Sequence, residues 1–340
     1  MATITELKSL FKGAIQPDIT KFSQEDANGS VINGILEYYG LKDASAREIR
    51  ARQPEVFALI EEVIEEMLPR QVEDIIGGFT EVKTFARDAE VVFEIKDLGK
   101  ARARMGIVEG ARGGIYKARR LDSKTFAVPV KTETVGAFVT LEEILLGTQS
   151  LADLMANIRD GFVERIYVQA VKALRTAKTL APAVNQATGN GFVAADFDRL
   201  VRIASAYGTP IIMGFRSALT KINNAQGWST IYPNVATADL DDIRNKGIVG
   251  IYKGTRVVEL PNYLVDEQNS EWVFKEGDIF VLPADAKPVK VAMKGDLVIR
   301  EDPHPTGSVE QNAHRMMGVG LYLANDVCVY TDSQITGGKY

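Results

Sequence analysis

Eight apolar residues, Leu151, Leu154, Met155, Ile158, Phe162, Ile166, Ala170 and Leu174, recur every three or four positions and constrain this chain more than any other feature. That spacing puts them on one face of an α-helix. Thr140 followed by Glu143 makes a capping pattern ahead of it. After a break at Gly147-Thr148-Gln149, Ser150 and Asp153 repeat the start signal. Asp153 lies near the start, and Lys172, Arg175 and Lys178 lie near the end, the polarity that a helix dipole favours. A helix over 151–178 is roughly 42 Å long at about 1.5 Å per residue. Globular helices average ~11–12 residues. One this long crosses a whole domain, and other elements must cover its stripe. It is a beam, not a catalytic feature.

Totals narrow the classes. A chain of 340 residues accommodates two modest domains, or one with large insertions. Its net charge of −5 excludes a nucleic-acid condensing protein, which needs a basic excess. The lone Cys328 cannot form an internal disulfide, so a reducing compartment is the simplest expectation. The N-terminus, with Glu6, Lys8 and Lys12 among scattered apolar residues, lacks a signal-peptide pattern. Met316 to Ala324, the longest apolar run, contains two glycines and is too short to span a bilayer.

Residues 1–43 show weak periodicity and breakers at Gln16-Pro17-Asp18 and Asn28-Gly29-Ser30, and read as an arm with short helical pieces. Ala44 to Leu68 reads as a helix with Ile49, Val56, Leu59, Ile60, Val63, Ile64 and Met67 on one side. Glu61, Glu62, Glu65 and Glu66 on the other side read as a solvated face, because no histidine accompanies them for acid–base or metal chemistry.

Two strand-like runs, 90–95 and 125–130, flank a section of a different kind. It holds Lys96, Lys100, Arg102, Arg104, Arg112, Lys117, Arg119, Arg120 and Lys124 against Asp97, Glu109 and Asp122, a local charge of +6. Gly99, Gly106, Gly110, Gly113 and Gly114 interrupt it, and little in it could bury itself. A polar hairpin-like insertion of this length builds no core of its own and must lie on another molecule or be mobile. A phosphate backbone is one such surface. An acidic protein surface is the other, and residues 1–95 supply one, with 18 acidic and 10 basic side chains. A basic loop and an acidic arm in one chain suggest that copies bind each other.

The rest reads as α/β and then all β. Helices are expected at Asp196–Ala206, Ser217–Gln226 and Ala238–Lys246, with a buried strand at 210–214. Strands follow at 248–252 and 256–260, joined at Lys253-Gly254, and strand-like sequence at Trp272–Leu282. Pro288–Met293 and Leu297–Glu301 are expected to pair as a hairpin across Lys294-Gly295-Asp296. Asn312–Leu323 reads as a long strand and Val327–Thr331 as a last one.

Convergent catalytic residues are scarce. Gly189-Asn190-Gly191 with Ala194 fits a loose dinucleotide-binding pattern, but Leu180-Ala181-Pro182-Ala183-Val184 before it is no strand of a βαβ unit. There is no Walker loop and no Gly-x-Ser-x-Gly elbow. His304 and His314 lack the companions that metal spacing requires, and Cys328 between two valines reads as a packing residue. These features point away from an enzyme, and no cofactor or metal ligand is expected.

The order of elements resembles the tailed-bacteriophage major capsid protein, the fold first described for Hong Kong phage 97. The residues that carry the likeness are the loop at 82–131, the helix at 150–178, the strand 295–302 and the closing stretch 312–331. The resemblance implies an α+β fold with an N-terminal arm (1–81), an extended E-loop (82–131), a spine-helix P-domain (132–180 and 283–324) and an axial A-domain (181–282 and 325–331). Residues 332–340 are then a C-terminal tail. It implies self-assembly as hexamers and pentamers into an icosahedral shell around double-stranded DNA, held non-specifically. The implied partners are copies of the chain, a portal, scaffolding and decoration proteins, with no membrane. The implied location is the virion, after assembly in the host cytoplasm. The first 80 residues fit least well, and read as a long arm or as including a segment removed in maturation. The expected subunit-interface residues are Lys100, Arg102, Arg104, Arg112, Lys117, Arg119, Arg120 and Lys124. Some relatives crosslink an E-loop lysine to a neighbour's asparagine, but no residue-level match selects Lys117 or Lys124. The alternatives are an encapsulin-like compartment enclosing protein cargo, a DNA-binding protein using the loop arginines, and a nucleotide-cofactor enzyme.

Overall fold

A computed structural model of the chain describes residues 24–40, 46–95, 124–137, 151–225 and 250–340, apart from short breaks at 266–267, 286, 304–308 and 323–325, and a few positions between 6 and 12. The elements are α1 (Gln24–Tyr38), α2 (Ala46–Ile76), β1 (Thr80–Phe85), β2 (Val92–Ile95), β3 (Lys124–Ala127), β4 (Lys131–Ala137), α3 (Leu151–Leu180) and β5 (Gln186–Gly189). They continue with α4 (Ala194–Ser205), β6 (Pro210–Gly214), α5 (Arg216–Ala225), β7 (Ile251–Tyr252), β8 (Thr255–Glu259), β9 (Asp278–Pro283), β10 (Val289–Pro303), β11 (Val309–Leu321) and β12 (Cys328–Asp332). The capping pattern at Thr140 and Glu143 and the helix expected at Ala238–Lys246 lie outside the described residues.

The beam is present. Helix α3 has 30 residues, about 45 Å of length. Leu154, Met155, Ile158, Phe162, Ile166, Ala170 and Leu174 of its stripe are all buried, and Tyr167, Val171 and Ala177 widen the buried face. Two layers cover that face. One is α2 with the four-stranded sheet β1-β10-β11-β4; the other is one side of the six-stranded sheet β5-β12-β9-β6-β8-β7. Gly161 lets the helix approach β4 closely, since a Cβ there would sit 3.2 Å from Val135 Cγ1.

In the smaller sheet β1 runs parallel to β10, and β10–β11 and β11–β4 are antiparallel. The expected hairpin at Lys294-Gly295-Asp296 does not form. Residues 289–303 are one strand, and both halves pair with β11 instead of with each other. The turn-like residues make a bulge: Lys294 faces Met316 and Val298 faces His314, so β10 uses two more residues than its partner there. Gly295 takes φ +68°, a backbone region that suits glycine. A local turn signal and a bulge need the same residues, and the thirteen-residue β11 decides between them.

The larger sheet alternates its burial between two cores. On β9, Phe280 and Leu282 join the core around α3, whereas Ile279 and Val281 face α4 and α5. That second core holds Phe197, Tyr252 and Tyr330, with ring centroids 5.3 to 5.7 Å apart in edge contacts.

Two readings near the N-terminus need correction. Asn28-Gly29-Ser30 lies inside α1, because Val31 and Ile35 are buried against the α2–α3 core and hold the helix through its glycine. Helix α2 does not stop at Leu68; it passes Pro54 and Pro69 and ends at Ile76. A proline in a helix interior costs about 3 kcal/mol. Val72 and Ile76 extend the buried stripe beyond Pro69, and two such side chains contribute roughly 1.5–3 kcal/mol each. Burial therefore outweighs the break. Among the described residues no helix is long and apolar enough to cross a membrane.

Candidate assembly surface

The strands that bracket the cationic section form a defined base. β2 and β3 pair antiparallel, with Val92 opposite Ala127, Phe93 opposite Phe126 and Ile95 opposite Lys124. Phe93, Val91 and Val128 are buried against Ala292 of β10 with Phe85, Phe126 and Val130 around them, a small core separate from the other two. The alternation of β2, with Phe93 and Ile95 inward and Glu94 outward, explains why this pair lies down on the sheet. Lys124 closes the register of the pair. Lys100, Arg102, Arg104, Arg112, Lys117, Arg119 and Arg120 lie outside the described residues, between two strands that are neighbours.

The acidic face of α2 is more than a solvated surface. Glu62 and Glu66 pair with Lys8 and Lys12 of the N-terminal segment. Glu61 accepts a hydrogen bond from the backbone N–H of Ile299, and Glu65 lies 3.6 Å from Arg315 on β11. Burial raises both the Glu61 and Glu65 carboxyls above their ordinary values; the Ile299 N–H and Arg315 respectively oppose that shift. The four carboxylates therefore tie the helix to its own chain, and the acidic surface left for a neighbour is smaller than composition implies.

The beam's end is locked to the larger sheet. Asp278, at the start of β9 and 3% exposed, accepts from Arg175 Nε at 3.0 Å and Nη2 at 2.8 Å, from Lys178 Nζ at 3.2 Å and from Thr331 Oγ1 at 2.8 Å. Lys172 stacks its ammonium over the Tyr340 ring at 3.2 Å. The cations that favour the helix dipole thus also join α3 to other elements. Asp278→Asn is expected to lower unfolding free energy by about 2 kcal/mol, the range for a hydrogen bond to a charged group. Urea denaturation of the subunit measures this.

The loose glycine pattern has a packing explanation. A strand does precede it, since β5 covers Gln186–Gly189 and α4 follows, so the context is closer to strand–turn–helix than the sequence suggests. Tyr330 fills the turn. A Cβ at Gly189 would collide with the tyrosine oxygen, which donates to Gly191 O at 2.7 Å and accepts from Val193 N–H at 2.8 Å. Asp332 accepts from Gly191 N–H at 3.0 Å. Two of the turn's N–H groups, those of Gly191 and Val193, are thus taken by this chain's own side chains.

His314 Nδ1 lies 2.8 Å from Thr134 Oγ1 on the neighbouring strand, and His304 is outside the described residues. Among the described residues no cluster of three metal-ligating side chains occurs. Cys328 is buried, and burial, with Asp326 adding to it, pushes its thiol up to about 12. Its thiolate is therefore scarce at neutral pH. Iodoacetamide at pH 7.5 is expected to leave Cys328 unmodified in the native chain and to alkylate it fully in urea, as read by intact mass.

The beam helix lies under two sheets, and the strand pair that brackets the cationic section packs on the smaller one. Over residues 6–328 the chain matches the model of a phage capsid protein family. It is a capsid shell protein. In particular it belongs to the family described as "SPbeta prophage-derived putative capsid protein YonB". No curated protein matches its sequence. Among solved structures it is similar to the capsid of the native GTA particle, at 10% identity and TM-score 0.49, covering 76% of this chain and 89% of that one. It is similar also to a chain of the satellite phage P4 procapsid, at 12% identity and TM-score 0.46, covering 85% and 98%. A third is the SrpI encapsulin of Synechococcus elongatus PCC 7942, at 8% identity and TM-score 0.44, covering 75% and 87%. Membership of the capsid family rests on the sequence match alone.

Proposed function

We propose that this protein is a major capsid subunit that assembles as hexamers and pentamers into an icosahedral shell around double-stranded DNA. The observation that carries the proposal is the family match, read together with the paired base at Ile95 and Lys124. Between those two positions run 28 residues carrying eight of the nine cations and three acids. Such a segment gains little from its own body and much from a neighbour's surface. In this reading the arm (1–81) and the E-loop (82–131) lie over adjacent copies. The P-domain (132–180, 283–324) carries the beam, and the A-domain (181–282, 325–331) meets its copies around the five- and sixfold axes. Lys100, Arg102, Arg104, Arg112, Lys117, Arg119, Arg120 and Lys124 give these contacts electrostatic register. Head-to-tail contacts of this kind close into rings. The modest net charge of −5 suits a container filled by a motor, with portal and scaffolding proteins as the expected partners. The proposed role is structural and non-enzymatic, within the virion, with assembly in the host cytoplasm.

Shells purified from a producing host test this against the encapsulin reading. Packaged DNA and a portal at one vertex are expected; protein cargo without nucleic acid would overturn the phage assignment and leave the shell.

A further inference from the structure

Beyond β8 the chain leaves the larger sheet as a narrow ribbon. The Val265 N–H donates to Glu271 O and the Val273 N–H to Tyr263 O, both at 2.8 Å, and Leu264 bridges to Trp272. The base is held firmly. Asn262 Oδ1 accepts from the N–H groups of Tyr263 and Phe274 at 3.1 Å each, and the Tyr263 ring meets Tyr167 of α3 edge-on at 5.7 Å. Past the base the large apolar side chains are exposed: Leu264 by 38%, Val265 by 41% and Trp272 by 42%. Leu264 and Trp272 stand opposite each other and share one face, while Val265 points to the other. A two-stranded ribbon is marginal by itself, and one that is apolar on both faces gains from cover. Its charge is one-sided. Tyr263–Trp272 holds Asp266, Glu267 and Glu271 and no lysine or arginine. Lys275 and Lys339 lie where the C-terminal residues pair with 272–275. Burial first, and then the charges of Glu164 and Asp160 on α3, raise the Tyr263 hydroxyl above its ordinary range, so two more carboxylates stand beside the ribbon. Asp160 pairs with Arg159, and Glu164 is exposed.

We propose that this ribbon is the seat of the cationic section (96–123) of a second copy of the chain. The section brings eight cations together with the apolar Met105, Ile107, Val108, Ile115 and Tyr116, the complement of an acidic ribbon that exposes Leu264, Val265 and Trp272. An indole is also the aromatic face that best attracts an arginine. Topology favours a second copy over the chain's own section. Val291 and Met293 of β10 face the core around α3, whereas Ala292 between them carries the β2–β3 base on the other face of the smaller sheet. The ribbon hangs from Tyr167 of α3, so base and ribbon belong to opposite sides of that sheet. The carboxylates of α2, the rival acidic surface, are engaged within the chain. The second-copy source rests on the self-assembly reading above; the chemistry of the seat stands independently.

The experiment titrates the full chain, dispersed as subunits, into a fluorescein-labelled peptide of residues 96–124 and reads anisotropy. Saturable binding is expected, weakening as salt rises. The double variant Leu264→Ser, Trp272→Ser keeps every charge in place. It is expected to weaken binding roughly tenfold, by removing the apolar and cation–π contacts. Glu164→Lys, Glu271→Lys, at two exposed positions, is expected to weaken it to a similar extent, and decides the matter should the first variant misfold. No binding overturns the seat. Binding that neither pair of substitutions weakens overturns it too, being general attraction between a cationic peptide and an anionic chain. Sedimentation velocity then reads the second-copy role. Both variants are expected to assemble less than the wild type at the same concentration, and variants that assemble as the wild type does overturn that role. A wild-type chain that never assembles counts against the self-assembly reading, while the peptide still decides the seat.

Discussion

Ile158→Asp is expected to abolish soluble protein. Ile158 is 1% exposed, in the middle of the α3 stripe and within the core that the helix shares with α2 and both sheets. An aspartate there must either bury a carboxylate without a partner or stay protonated at a large cost. Either costs at least ~4 kcal/mol. Single domains are stable by only about 5–15 kcal/mol in total, so most of the margin is lost at one residue. Ile158→Val removes one methylene, costs about 1 kcal/mol and should leave expression unchanged. Soluble yield and thermal unfolding of the two variants check this. Normal yield of the aspartate variant would mean that the stripe does not face the core.

Deleting Gly99–Lys117 is expected to have the opposite profile, an intact subunit that no longer assembles. Ile95 and Lys124 are register partners, so the chain must only connect two neighbouring strands. The deletion leaves nine residues for that connection in place of 28, which lowers the entropy cost of closing the loop by about 1 kcal/mol. Phe93 and Val128, which anchor the base against Ala292, are untouched. The unfolding temperature should therefore stay the same or rise slightly. The lost segment carries Lys100, Arg102, Arg104, Arg112 and Lys117, so contacts with a neighbouring copy should weaken sharply. Calorimetry and size-exclusion chromatography read the two effects separately. Loss of the subunit's cooperative unfolding would contradict the account, because it would make the loop part of its own subunit's core.

What the amino-acid order discloses here depends on how local the cause is. The α3 stripe is legible because eight periodic apolar residues belong to one element, and seven of them are buried among the described side chains. Strands 210–214 and 328–332 are legible for a similar reason: short apolar runs between breakers have few other uses. The errors come where a distant partner chooses between two local options. Lys294-Gly295-Asp296 serves a turn or a bulge equally well, and the choice rests with Met316 and His314, some twenty residues on. Pro69 signals a helix end, yet Val72 and Ile76 find a core that no neighbouring residue reveals. Glu61 and Glu65 look solvated until β10 and β11 come to lie under α2. The same limit hid the glycine turn at 189–191, where the filling side chain, Tyr330, is remote in sequence. Of the candidate interface, the anchored base was legible from strand alternation. The loop itself lies outside the described residues.

Electron microscopy of the purified full-length chain, paired with sedimentation velocity over a range of concentrations, tests the central claim most directly. The account predicts closed, uniform shells, with a fast-sedimenting boundary that grows at the expense of the subunit. A chain that sediments as a monomer at every concentration and salt would contradict it.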